Sequence, residues 1–208
     1  VLVTTLAVVM SVFHLYTAYA IVPTQTLRPM HVGFVLVLCF LMFPIASKYR
    51  HRIMWWDWLA ALLSIAVVVY LIWGGDDFTD RNTLPEFWDV VLGIALIVMV
   101  MEAMRRTNGW IMPIITGCFI LYALYGPLLP APWTHKGYAV GRLVGVMYMT
   151  LEGIYGVAVD VSSSLIILFT IFGAFLQYSG AGKFYIDFSF SAMGGKPTGA
   201  GRLSLIHI

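Results

Sequence analysis

The sequence predicts an all-α, polytopic helical membrane protein with about six transmembrane helices plus one interfacial or broken helix. Hydrophobic residues make up 61% of its 208 residues and charged residues 11%, and the mean hydropathy is +0.89. Average soluble domains are about 25% charged, so this little charge cannot cover a water-soluble particle. The composition therefore argues against a soluble enzyme and against intrinsic disorder, which needs high charge.

Long apolar runs recur along the chain, and each is close to the length of a membrane span. A helix needs about 20 mostly apolar residues to cross roughly 30 Å of hydrocarbon. Period-2 alternation does not recur, and backbone groups in lipid must be satisfied within the segment, so these runs should be helices. The predicted spans are Val1–Val22, Met30–Ser47, Trp58–Gly74, Phe87–Met104, Trp110–Gly126 and Val161–Gly180.

One further segment, Tyr138–Asp160, is apolar but too interrupted for a simple lipid-facing span. Its Gly141 and Gly145 form a GxxxG pattern, which allows close approach of a neighbouring backbone. The segment is typical of a discontinuous or interfacial helix of a transporter, or of an amphipathic connector on the membrane surface. Because ionisable residues in such segments are functional candidates, its three charged residues are the candidate substrate or ion pathway: Arg142, Glu152 and Asp160.

The other polar residues in the spans have simpler interpretations. Glu102 lies three and four residues before Arg105 and Arg106, which predicts an ion pair at a helix end. Asp89 is expected at an interface, and His14 in a structural helix contact. The run Ser162–Ser164 is expected to cap the next helix, with hydroxyl groups for an ion as the alternative. Cys39 and Cys118 are expected to be small buried hydrophobic residues.

Lys and Arg residues in the short loops predict the orientation. Five of them lie in the loops after the second and fourth spans, namely Lys48, Arg50, Arg52, Arg105 and Arg106, against three in the alternate loops, namely Arg28, Arg81 and Lys136. The N-terminus is therefore expected in the cytoplasm, and the acidic loop Asp76–Glu86 outside.

Motifs for enzymes and nucleotide binding are missing from the sequence. It has no HExxH, GxSxG or GxxxxGK[ST] pattern, and its net charge of +2 includes no basic patch for nucleic acid. An intramembrane enzyme would need a paired nucleophile and base or two close carboxylates within the spans. Glu152 and Asp160 would lie about 12 Å apart along a continuous helix, too far for a pair unless the helix breaks at Gly153–Gly156. A channel would need a polar pore stripe, which is not found.

Several stretches resemble the fused permeases of TRAP (tripartite ATP-independent periplasmic) transporters. They include FHLYTA at Phe13–Ala18, followed by Pro23, Arg28 and His31, then WWDWLAAL, EAMRRTNGW, LEGIYGVAVDVSSS at Leu151–Ser164, FGAFLQYSGAGKFYIDFSF and GGKPTGAG. The resemblance implies a small-subunit-like scaffold at 1–129, a junction loop at 130–137 and the start of the large transport subunit at 138–202. The tail Leu203–Ile208 is expected to be a sequencing or cloning artefact.

The resemblance also implies the function and the partners. Such permeases are secondary carriers of the bacterial or archaeal cytoplasmic membrane that use a sodium or proton gradient and no other cofactor. They take organic acids, often C4-dicarboxylates or keto acids, from a periplasmic substrate-binding protein, of the TAXI type in fused forms. The family's ion-binding motif has no counterpart in this chain, so no metal or substrate residue is transferred. A non-transporting scaffold or assembly subunit is the alternative.

Overall fold

The computed structural model describes residues 1–46 and 53–193, and all the regular elements among them are helical. They form two compact units, divided between Ser164 and Leu165. A π-helical turn, Ser162–Ile166, lies between α7 and α8, and short 3₁₀ turns lie at Arg81–Thr83 and Gly126–Leu128. The α-helices are α1 Leu2–Tyr19, α2 Thr24–Met42, α3 Trp55–Asp80, α4 Phe87–Asn108, α5 Ile111–Tyr125, α6 Val140–Met149, α7 Val157–Val161, α8 Ile167–Tyr178 and α9 Ala181–Met193.

Six helical segments of the described chain are long and apolar enough to cross a membrane, which confirms the predicted fold class. They are Leu2–Tyr19, Thr24–Met42, Trp55–Thr83, Phe87–Asn108, Ile111–Leu128 and Val157–Tyr178. The basic loop with Lys48, Arg50 and Arg52, the stretch GGKPTGAG and the tail Leu203–Ile208 lie outside the described residues.

Helix boundaries differ from the sequence prediction where charged residues are paired. The second helix begins at Thr24 rather than Met30, because Arg28 lies inside it and forms an ion pair with Asp160; Arg28 is therefore not a loop residue. The fourth helix continues to Asn108. A hydropathy window ends a span at a charge, whereas a paired charge can stay in the helix.

The third helix continues beyond its predicted end and includes residues 76–80 of the expected acidic loop. Gly75 has φ 54° and ψ −135°, a conformation that breaks the helix, and the helical turns resume to Asp80. Glycine adopts such a positive φ without a steric penalty. The buried ring of Phe78 packs edge-on against Tyr148 at 5.1 Å between centroids. This packing holds the turns after the break against the bundle and leaves Asp76 and Asp77 exposed.

The core of the first unit lies where α2, α3, α4 and α6 meet. Its most deeply buried side chains come from all four helices: Phe40, Val67, Leu96, Val144 and Tyr148. Most other large apolar side chains are exposed on the chain's own surface, as expected for helices surrounded by lipid. Cys118 lies on such an exposed surface and Cys39 is buried, so the prediction of a buried thiol is right for Cys39 and wrong for Cys118.

The ten-residue helix α6 packs closely against the rest of the first unit. A Cβ added at Gly145 would overlap the backbone carbonyl of Asn82, whereas one at Gly141 would make an ordinary contact with Pro85. On α4, Gly93 similarly leaves room for Val144. The predicted close approach is thus confirmed at Gly145, although its partner is the turn after α3. Turns follow α6 from Thr150 to Gly156, so the interrupted segment is broken near Gly153, as the sequence indicates.

The proline-rich stretch after α5 folds back onto the end of that helix. The hydroxyl of Tyr122 donates to the carbonyl of Trp133 at 3.0 Å, and the Tyr138 amide donates to the Ala123 carbonyl at 2.9 Å. His135 lies over Gly126, where any side chain would collide with the imidazole ring. This connection is therefore held by specific contacts.

In the second unit, the described residues form α8 and α9. The rings of Phe184 and Phe188 stack on α9 with their centroids 6.1 Å apart. Most side chains of both helices are exposed within the described chain.

Candidate functional site

A group of polar residues joins α2 to the segment that follows α6. Arg28 donates from Nε and Nη2 to Asp160 Oδ1 at 3.0 and 2.9 Å, and from Nη1 to the Tyr155 carbonyl at 2.9 Å. One guanidinium therefore holds both the turn and the helix after it. We call this group, with the histidines described next, the α2 polar cluster: His14, Arg28, His31, Asp160 and Ser162.

Two histidines continue the α2 polar cluster into the bundle. His14 Nδ1 lies 2.7 Å from the Met10 carbonyl, and its Nε2 lies 2.9 Å from Nδ1 of His31. His31 Nε2 lies 3.1 Å from the hydroxyl of Ser162. Both imidazoles are buried. The result is an unbroken line of hydrogen bonds from α1 through α2 to the π-helical turn.

A cavity of about 590 Å³ adjoins the α2 polar cluster. His31 and Ser162 lie among its lining residues, and most of the others are apolar side chains of α2 and α4, including Leu36 and Val100. Anions bind poorly in a cavity with such apolar walls, since burying an unpaired charge is costly. Within the described chain, this cavity suits an apolar group or water molecules at its polar end better than a carboxylate.

A second group of charges, the α3–α4 charge cluster, lies at the other end of the bundle: Asp57, Glu102, Arg105 and Arg106. Arg106 donates to Asp57 at 2.6 Å and to Glu102 at 2.8 Å, with 3% of the arginine and aspartate side chains exposed. Arg105 also binds Glu102, at 2.7 Å. The predicted helix-end ion pair is confirmed and extends to α3.

Asp89 is more deeply buried than the sequence suggested. It is fully buried and accepts hydrogen bonds from Tyr70 at 2.8 Å, from Arg81 at 2.9 and 3.1 Å, and from the Glu86 amide at 2.9 Å. The sequence did not predict these partners, because the turn after α3 brings Arg81 back over the start of α4. This carboxylate fastens that turn.

The three predicted pathway residues lie in different environments. Asp160 belongs to the α2 polar cluster. Arg142 is exposed on α6 and Glu152 is exposed in the turns after it, and no contact joins either of them to Asp160 in the described chain. The structure therefore does not bring the three together, and their role in transport stays a prediction.

Sequence reasoning missed the partnership of His14, Arg28 and His31. The sequence does contain a pattern that indicates the contact between the two histidines. The helices α1 and α2 form an antiparallel pair, in which His14 lies five residues before the turn and His31 seven residues after α2 begins. At 1.5 Å per residue, both rings fall at a similar depth. The sequence does not show whether the two helices turn these faces toward each other.

The serine run does not cap a helix. The helix begins at Val157, after Gly156, so Ser162–Ser164 lie within helical turns. The hydroxyls of Ser163 and Ser164 donate to the Asp160 carbonyl at 3.1 and 2.6 Å, and Ser162 meets His31. The cap prediction is wrong because the helical conformation extends earlier than the apolar run alone indicates.

Two buried tyrosines, Tyr148 in α6 and Tyr155 in the turns after it, differ in their hydrogen-bond partners. Tyr148 donates to the Val67 carbonyl at 2.8 Å. Tyr155 is buried, and its hydroxyl has no hydrogen-bond partner among the described residues. Burial raises the pKa of both phenols, so both stay neutral at physiological pH.

Comparison with family models gives a match to the DctM component of tripartite ATP-independent periplasmic transporters over residues 95–207, more than half of the chain. The chain belongs to this family. No curated protein and no solved structure matches it. Membership makes it a membrane permease component of a TRAP-type transporter, and the family is one of transporters rather than enzymes.

The DctM match divides the α2 polar cluster. Asp160 and Ser162 lie inside the matched residues 95–207, whereas His14, Arg28 and His31 lie before them. The match begins within α4, earlier than residue 138, where the sequence interpretation starts the large subunit; that boundary stays a prediction. Among the described residues, no group of three or more His, Cys, Asp or Glu side chains could hold a metal ion.

Proposed function

We propose that this DctM-family chain combines a small-subunit-like scaffold with the beginning of the transport subunit. The full carrier would import organic acids of the C4-dicarboxylate or keto-acid class with a sodium or proton gradient. The observation that supports the fusion is the set of helices that make up the first compact unit. It joins α1–α3, which precede the family match, to matched residues as far as Ser164.

The proposed mechanism is alternating access of a moving unit against a static scaffold. The scaffold would be the early helices, whose buried charges are paired by the α3–α4 charge cluster and by Arg81 with Asp89. Paired charges in the membrane interior fix one arrangement, because breaking the pair leaves a buried charge without compensation. Organic acids would then be carried by parts of the transporter outside these early helices.

A periplasmic binding protein is the proposed donor of substrate. Exposed acidic residues after the break at Gly75 would form its docking surface, with Asp76 and Asp77 most prominent. This assignment takes the N-terminus as cytoplasmic and the membrane as the bacterial or archaeal inner membrane. Exposed charges of one sign steer an oppositely charged partner, and salt weakens that attraction.

The experiment is binding-protein-dependent uptake of radiolabelled organic acids into proteoliposomes containing the full-length transporter. We expect uptake to require both the binding protein and an imposed sodium or proton gradient. Uptake that persists with both gradients collapsed would contradict the coupling. Asp76→Lys with Asp77→Lys should reduce uptake strongly, the two Asn variants should reduce it less, and unchanged uptake in the Lys variant would exclude this docking surface.

A second candidate is a scaffold or assembly subunit without transport of its own. The observation that favours it is the apolar wall of the cavity beside α2, which offers little to a carboxylate. Co-purification of the chain with other permease subunits, without uptake by the chain alone, would support this alternative.

A further inference from the structure

The hydrogen-bond line through His14 and His31 has a fixed direction when both rings are neutral. A carbonyl can only accept, so His14 must carry its proton on Nδ1 to bond Met10. His14 Nε2 is then an acceptor, and His31 must donate from Nδ1. That leaves His31 Nε2 as an acceptor for the hydroxyl of Ser162. Each ring nitrogen is satisfied in one arrangement of protons.

One added proton fits this line without breaking it. If His31 gains a proton on Nε2, that nitrogen donates to Ser162, and the hydroxyl rotates from donor to acceptor. The bond between the two rings is kept, and the extra proton can be shared along it. A charged donor also strengthens its hydrogen bonds.

A second added proton does not fit. With both rings cationic, His14 Nε2 and His31 Nδ1 would both be donors facing each other across 2.9 Å. The bond between the rings would be lost, and two like charges would lie with their ring centroids 5.0 Å apart. Like charges this close oppose a second ionisation.

The line has one open end and one closed end. Ser162 and His31 both line the cavity of about 590 Å³. The other end is the Met10 carbonyl, which has no proton to pass on. Protons can therefore enter and leave at the Ser162 end, and the line stores a proton rather than conducting it.

Few charged groups surround the two histidines. The helix α1 carries no Asp, Glu, Lys or Arg. On α2 the charged residue is Arg28, one turn before His31, and on α7 it is Asp160, and these two neutralise each other. The cavity lining from α4 is uncharged. On α3 the carboxylates lie near its two ends, as Asp57 and as the group Asp76, Asp77 and Asp80. Cys39 also lines the cavity.

We infer that His14, His31 and Ser162 form a proton-binding site that takes up a single proton, shared between the two imidazoles, from the cavity beside α2. The site joins helices before the DctM match to a residue within it. Whether the site holds a proton therefore depends on the contact between α2 and the π-helical turn. The inference does not depend on which ion drives transport.

The test is nitrogen NMR of the full chain, labelled at histidine, in lipid nanodiscs. At high pH both rings should be neutral with the proton on Nδ1, the minor tautomer of free histidine. As the pH falls from about 8 to about 4, both rings should titrate with one common midpoint and take up one proton in total, which is the first of the two macroscopic steps of a coupled pair.

Variants assign and check the signals. In His14→Gln, the amide oxygen can accept from His31 Nδ1, so the line persists and His31 titrates alone. His135→Gln is the matched control, because His135 lies in the loop after α5 and should leave the shared titration unchanged. Ser162→Ala removes the donor to His31 Nε2, so it should reduce the Nδ1–H population of His31 and with it the bond between the rings.

Three results would overturn the inference. They are separate midpoints with two protons bound, a neutral His31 with its proton on Nε2 in the unsubstituted chain, or no proton uptake down to about pH 4 while helical circular dichroism is retained. A shared titration that survives in His14→Gln would equally contradict it, because the signals would then come from other histidines.

Discussion

The α3–α4 charge cluster and the α2 polar cluster both join segments that are far apart in sequence, but they do so in different ways. Arg106 and Asp57 are each 3% exposed, and Arg106 also binds Glu102. In the Arg28–Asp160 pair, the aspartate side chain is 44% exposed. A buried ion pair is costly to open, whereas water can replace the partner in a half-exposed pair. The difference separates a rigid connection from one that can move.

The largest effect is expected from removing the central arginine of the rigid cluster. Arg106→Ala leaves the buried Asp57 without its ion-pair partner and removes one of the two arginines that bind Glu102, which should lower the free energy of unfolding by about 3–5 kcal/mol. Equilibrium unfolding in mixed micelles, followed by circular dichroism, measures it. The control is Arg105→Ala, where the lost pair is more exposed and the cost should be about 1 kcal/mol. Equal costs would contradict the claim that burial of the Arg106–Asp57 pair makes this connection rigid.

The next effect concerns α6, which leads into the α2 polar cluster. Gly145→Ala places a methyl group against the Asn82 carbonyl, and the backbone shift should cost about 1–3 kcal/mol of unfolding free energy. Gly141→Ala is the matched control on the same helix, expected to be neutral or stabilising by up to about 1 kcal/mol. A destabilised Gly141 variant beside an unaffected Gly145 variant would refute this packing.

The two buried tyrosines provide a smaller and sharper comparison. Tyr148→Phe removes the hydrogen bond to Val67 and should cost about 0.5–1.5 kcal/mol. Tyr155→Phe removes a buried hydroxyl without a partner in the described chain, so it should be neutral or stabilising. Parallel unfolding curves measure both. A larger loss at Tyr155 than at Tyr148 would show that its hydroxyl has a role the contacts do not explain.

The smallest stability effects are expected at the exposed pathway candidates. Arg142→Gln and Glu152→Gln should change the unfolding free energy by less than about 0.5 kcal/mol, because both side chains are exposed. Reduced uptake by either variant, at normal stability and expression, would support its place in the pathway. Normal uptake in both would remove them as candidates.

The sequence predicted the spans well because each is a long apolar run, and it predicted the pair of Glu102 with Arg105 because helical spacing alone brings them together. It could not predict partners separated by more than a hundred residues. Arg28 was placed in a loop because hydropathy shows an isolated charge and not its partner Asp160. The partner of Asp89 was also missed, although Arg81 is close in sequence, because Arg81 reaches it through the turn after α3.

The Arg28–Asp160 pair tests the central claim most directly, namely that α2 holds the start of the transport region. The measurement is uptake by the full-length transporter carrying Arg28→Asp, Asp160→Arg or both. Each single reversal should abolish most uptake, since like charges then meet. The swap should restore part of it, because an aspartate at 28 cannot bind the carbonyls of Leu151 and Tyr155. Single reversals that transport normally, or a swap no better than the worse single variant, would contradict the account.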